Sequence, residues 1–104
     1  MSTPSRREKL ESMLADDPSD SFLRYALAME LQKESEHDRS LELLDGLMAD
    51  SPPHLPAFFM AGQQLAALEQ IEKAKSVLGR GIEEAQRQGD EHAQAEMTDF
   101  LGGL

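Results

Sequence analysis

The chain has 104 residues with no cysteine and no tryptophan, and it is 39% hydrophobic and 5% aromatic. That suffices for one domain with a modest core of Leu, Met and Ala, and it excludes disulfides, thiolate metal sites and cysteine nucleophiles. Twenty acids against ten bases give a formal net charge of −10, which repels phosphate backbones and anionic membranes, so neither nucleic acid nor membrane is an expected partner. In chain order, the apolar spacing predicts six helices near residues 4–15, 19–33, 37–49, 53–68, 71–86 and 90–101. Leu10, Met13 and Leu14 form an i, i+3, i+4 stripe in the first. Leu23, Leu27 and Leu31 step by four in the second. Leu43, Leu44, Leu47 and Met48 mark the third, and Phe58, Ala61, Gly62 and Leu65 the fourth. Ala74, Val77, Leu78 and Ile82 mark the fifth, and Ala93, Met97, Phe100 and Leu101 the sixth. No segment alternates like a strand.

Local signals punctuate these helices. Thr3-Pro4 reads as a cap followed by a first-turn proline. Asp17-Pro18-Ser19-Asp20 ends one helix and caps the next, and Ser51-Pro52-Pro53 does the same later. Softer breaks fall at Ser35-Glu36-His37 and Glu69-Gln70. Gln88-Gly89-Asp90 is a turn with glycine after the last helical residue, and Gly102-Gly103 ends the chain's last helix. All links are short, which makes successive helices antiparallel neighbours. The stretch Met1–Leu10 has charges but no apolar run behind them, so it does not read as a secretory signal, and a cytoplasmic location is expected. The lack of cysteine fits a reducing compartment.

The segment Leu10-Glu11-Ser12-Met13-Leu14-Ala15-Asp16-Asp17-Pro18 returns as Leu44-Asp45-Gly46-Leu47-Met48-Ala49-Asp50-Ser51-Pro52, an offset of 34 residues. A fixed period of this size signals stacked helix pairs, none of which buries its apolar face alone. On these residues the chain resembles the tetratricopeptide repeat (TPR) family, a helix–turn–helix unit of the same period. Leu27-Ala28 and Ala61-Gly62 fit the family's apolar–small pair, Leu31 and Leu65 its next apolar position, and Pro18 and Pro52 its closing proline. In the second helices Ala74, Leu78 and Gly81 fit well, while Ser40, Leu44 and Leu47 fit loosely. Phe58 fits the first aromatic position, whereas Arg24 departs from it. Ser35 and Glu69 stand where the family has its turn glycine. The resemblance implies an all-α fold, a short α-solenoid of antiparallel helix hairpins in a single domain over residues 1–104. Full repeats span about 21–54 and 55–88, with a half-repeat helix at 4–15 and a capping helix at 90–101.

In this family the first helix of each unit lines a groove. The resemblance therefore implies a partner-binding face made of Phe22, Tyr25, Ala26, Met29, Gln32 and Lys33, continued by Pro56, Phe59, Met60, Gln63, Ala66 and Ala67. Met-bearing apolar surface adapts to varied partners. The competing reading makes Tyr25, Phe59 and Met60 plain core. Lys33 is the lone base on this face and the chain has no asparagine, so a clamp for an acidic C-terminal carboxylate is not expected. Catalytic readings find less. Glu34, Glu36, His37 and Asp38 share one turn, but His37, His54 and His92 are scattered, and a solvated polar turn is the better reading. Gly79-Arg80-Gly81 lies mid-helix with no strand before it, so it is no phosphate loop. Ser40 and Ser76 lack a histidine base. Arg6-Arg7-Lys9 reads as a solvated basic face. The expectation is a non-catalytic protein–protein interaction module, without metal or cofactor, presenting a shallow apolar groove to a basic or apolar peptide or helix. The alternative is a homo-oligomer built by end-to-end helix stacking.

Overall fold

Among the described residues of the computed structural model, 3–104, there are six α-helices and no strand. They are α1 (Arg6–Asp16), α2 (Ser21–Lys33), α3 (His37–Met48), α4 (Leu55–Ala67), α5 (Ile71–Gln88) and α6 (Glu91–Gly102). The expected all-α class of helix hairpins is the one observed. Met1 and Ser2, the first residues of the stretch read as lacking a signal sequence, lie outside the described residues.

The boundaries follow from capping. The cap of α1 is Ser5 and not Thr3, because Ser5 has Glu8 three residues on. The Ser5 hydroxyl accepts from the Glu8 amide at 3.1 Å, and the Glu8 carboxylate accepts from the Ser5 amide at 3.4 Å. That reciprocal box satisfies two amides. Asp20 and Asp90 cap α2 and α6 through the amides of Leu23 (2.9 Å) and Ala93 (3.0 Å). Helix α4 starts at Leu55, two residues later than expected. Pro53 disfavours helix at Pro52, His54 is extended, and Pro56 occupies an early position where no amide is needed.

Three helices end in one motif. After α2, the Glu36 amide donates to the Leu31 carbonyl (2.8 Å) and the Ser35 amide to Gln32 (3.0 Å). After α4, Gln70 donates to Leu65 (2.9 Å) and Glu69 to Ala66 (3.0 Å). After α5, Asp90 donates to Ala85 (2.9 Å) and Gly89 to Gln86 (3.2 Å). This pairing needs one left-handed residue. Gly89 supplies it at φ 72°, but Ser35 (φ 61°) and Glu69 (φ 63°) adopt it with a side chain attached.

The chain forms two compact units, Met1–Leu47 and Met48–Leu104. In the first, Leu10 of α1 joins Leu23, Ala26, Leu27 and Leu31 of α2, with Leu14 and Leu43 packed against them. Each fully buried leucine contributes about 1.5–3 kcal/mol. Ala26, expected on the groove, belongs to this core instead. It sits at i+3 from Leu23, on the side of α2 that meets α1. Ser40 of α3 is wholly buried, and its hydroxyl donates to the Ala28 carbonyl at 2.7 Å. Arg6 and Arg7, expected to be merely solvated, reach across to α2. Arg6 Nε lies 2.9 Å from Glu30 and Arg7 Nη1 lies 3.1 Å from Glu34. Arg39 of α3 pairs with Glu11 of α1 at 3.3 Å.

In the second unit α5 packs on both α4 and α6, which touch each other lightly. The seam uses small residues. A Cβ added to Gly62 would meet the Leu78 side chain at 2.6 Å, and one added to Gly81 would meet Met97 Sδ at 2.5 Å and Phe58 Cβ at 2.6 Å. Phe58, Leu78 and Met97 are accordingly almost fully buried. The Gln88 amide group donates to the Pro53 carbonyl at 3.0 Å, tying the end of α5 to the entry of α4.

Candidate functional site

Helix α2 has two unlike sides. Leu23, Leu27 and Leu31 point inward. Phe22, Tyr25 and Met29, at i, i+3 and i+7, share the other side with Gln32 and Lys33. Phe22 is 72% exposed and Met29 36%, while Tyr25 and Gln32 are half-buried. Partial burial raises the Tyr25 phenol above its ordinary value of 10. Lys33 is exposed and shares Glu30 with Arg6, at 3.4 Å. Met13 of α1 was expected in the core stripe with Leu10 and Leu14. It is 52% exposed instead, because only Leu10 and Leu14 turn toward α2.

In the second unit Phe59 and Met60 of α4 are half-buried and Gln63 is exposed. Phe59 meets Phe100 of α6 edge-on, with ring centroids 5.8 Å apart and planes at 74°. Phe100 thus joins this face, although the sequence suggested only that it lay on the apolar side of a cap. The outward side of α6 carries Glu91, His92, Ala95, Glu96, Thr98 and Asp99, all exposed.

The departure at Arg24 has a structural counterpart. Phe58 stands 34 residues after Arg24, and Arg80 stands 34 residues after Gly46. In the second unit the Arg80 guanidinium lies over the Phe58 ring, 5.7 Å from its centroid. In the first, the order of helices is reversed: the guanidinium comes from α2, and a Cβ on Gly46 of α3 would meet Arg24 Nη2 at 3.0 Å. An arginine therefore fills corresponding positions in both hairpins, from opposite helices. An open cavity of about 350 Å³ lies beside Arg24, floored by Leu27, Leu31 and Leu43. Among the described residues no three His, Asp or Glu side chains gather as metal ligands, and no helix is long and apolar enough to cross a membrane.

Comparison with known proteins agrees with this architecture. No family model matches the chain. A TPR repeat-containing protein of Pseudomonas aeruginosa is 28% identical over 97 residues, covering 93% of this chain and 92% of that protein. A solution structure of a protein from Bordetella parapertussis superposes with a TM-score of 0.79 at 25% identity, over 95% of this chain and 86% of that one. The solution structure of a tetratricopeptide repeat domain protein from Salinibacter ruber gives a TM-score of 0.75 at 30% identity, over 81% of this chain and 85% of that one. Repeat period, hairpin seams and these relatives lead to one conclusion: the chain belongs to the tetratricopeptide repeat family.

Proposed function

We propose that this chain is a non-catalytic protein-interaction module whose first-helix faces, one in each unit, each offer a surface to a peptide or helix of a partner protein. Phe22, Tyr25, Met29, Gln32 and Lys33 supply the face in the first unit, and Phe59, Met60 and Gln63 supply it in the second. The observation that carries this reading is the 72% exposure of Phe22 on a helix whose other side buries Leu23, Leu27 and Leu31. Burying such a ring would yield about 1.5–3 kcal/mol, which the free chain forgoes. Membership in a family of interaction modules supports the reading, as does the run of apolar side chains along α2.

The test is co-purification from the native cell with wild type and with a Phe22→Ser, Met29→Ser variant. Both substitutions lie on exposed side chains, so the thermal melt should be unchanged while an identified partner is lost. A partner retained by the variant would refute the α2 face. End-to-end self-association finds less support, because the outward side of α6 is polar and carries three carboxylates that like-charged copies would bring together. Light scattering should report a monomer, and a dimer would favour self-association.

A further inference from the structure

Helix α1 is held to its unit largely by charge. Of its 11 residues only Leu10 is buried, with Leu14 packed beside it and Met13 in solvent. Helix α5, by contrast, buries Ala74, Leu78, Gly81 and Ala85. A helix shorter than about 12–15 residues is marginal by itself, so the helicity of α1 depends on its docking. Three ion pairs cross from α1 to α2 and α3. Arg6 Nε lies 2.9 Å from Glu30, Arg7 Nη1 lies 3.1 Å from Glu34, and Glu11 lies 3.3 Å from Arg39. In each pair one side chain is at least 40% exposed, so dissolved salt screens all three. Closure also carries costs. Arg7 Nε is shut from solvent, and Glu11 at 3.7 Å is beyond hydrogen-bond reach, so this donor goes unpaired. Asp16 and Asp17 stand at the C-terminal end of α1, which has no basic residue in its last turn, and oppose the helix dipole. Two of the acids keep a partner when α1 leaves: Lys33 lies 3.4 Å from Glu30 within α2, and Arg7 is four residues before Glu11 within α1.

From this balance we infer that α1 is a salt-sensitive latch. It swings off α2 in one piece, at a lower free energy than the rest of the chain needs to unfold, and bares the Leu23 and Ala26 side chains beneath it. Low ionic strength closes the latch and high ionic strength loosens it. The inference is independent of the interaction-module reading, because it concerns the side of α2 that meets α1 and not the side of Phe22, Tyr25 and Met29. It also fixes a sign that ordinary salt effects do not share. A chain of net charge −10 repels itself when compact, so screening stabilises its fold in general. At α1 the screened interactions are attractions, so the same salt acts there in the opposite direction.

The experiment is native-state amide hydrogen exchange on the full chain, read residue by residue by NMR at low salt and at about 1 M sodium chloride, where charges more than about 3 Å apart are screened. Protection of the α1 amides should fall about three- to tenfold at high salt. Protection within α5 should hold or rise. In low concentrations of urea the α1 amides should respond more weakly than those of α2, because a small opening exposes little surface. A Glu34→Gln, Arg39→Gln variant changes two exposed side chains and removes two of the three ties. It should lower α1 protection about threefold at low salt and shrink the salt dependence. Equal urea responses in α1 and α2 would show that α1 opens only when its whole unit unfolds. Protection of α1 that salt leaves unchanged or increases would show that the ion pairs do not hold it. Either result overturns the latch, and both are read on the wild type, whatever the stability of the variant.

Discussion

Replacing Ser35 and Glu69 by glycine should stabilise this protein. Both residues hold a left-handed backbone, at φ 61° and 63°, inside turns whose hydrogen bonds match those around Gly89. That conformation costs a residue with a Cβ roughly 1–2 kcal/mol. Glycine removes the strain but gives back about 0.4–1 kcal/mol through the freedom of the unfolded chain. The net gain is about 0.5–1 kcal/mol per site, and a double variant should melt about 5–10 °C higher. Both side chains are exposed, so little packing is lost. The comparison of sites separates two effects. Glu69→Gly also removes a carboxylate beyond the C-terminal end of α4, where it opposes the helix dipole, whereas Ser35→Gly changes the backbone alone. The reverse control is Gly89→Ala. A Cβ there would meet nothing within 4 Å, so any loss is conformational. It should cost about 1 kcal/mol. Thermal and urea melts of the wild type and the four variants suffice. Unchanged or lower stability in Ser35→Gly, or a harmless Gly89→Ala, would refute the strain argument.

Gly81→Ala should destabilise by about 1–3 kcal/mol, and more than Gly62→Ala in urea melts. Its new methyl would meet the Phe58 Cβ, which cannot move without its backbone, whereas Gly62 faces the movable end of Leu78. Ser40→Ala should cost about 0.5–1.5 kcal/mol, because it removes the buried hydroxyl's bond to the Ala28 carbonyl, which keeps its partner within α2. An equilibrium unfolding curve that overlays the wild type would contradict this. Tyr25 should titrate above 10 by absorbance near 295 nm, where it is the sole phenol. Its raised value means that the unfolded chain ionises first. Stability is therefore unaffected by this group below pH 10 and falls as pH rises beyond it. A midpoint at or below 10 would show that the phenol is not desolvated.

The two faces were unequally legible. Phe22, Tyr25 and Met29 could be placed on one side of a helix because their spacing is local, and Leu23, Leu27 and Leu31 on the opposite side define what is buried. Exposure was harder to read. Met13 fits the core stripe of α1 as well as Leu10 does, and only the angle at which α1 meets α2 leaves it 52% in solvent. Ala26 shows the reverse error, since a small residue at a helix edge goes wherever the neighbouring helix comes closest. Phe100 could be assigned to the apolar side of α6, but its edge-on contact with Phe59 brings together residues 41 positions apart that no local pattern links.

The chain's own order of residues determined the helices, their caps and the positions of the turns, because each of these depends on neighbours within about one helical turn, and it carried the 34-residue period as a direct repeat. Packing alone decided that Arg24 and Gly46 mirror Phe58 and Arg80 and that Arg6 and Arg7 grip α2. Those outcomes depend on the distance and angle between helices. Side-chain volumes across a shared seam set both, and a linear pattern of apolar residues carries no record of them.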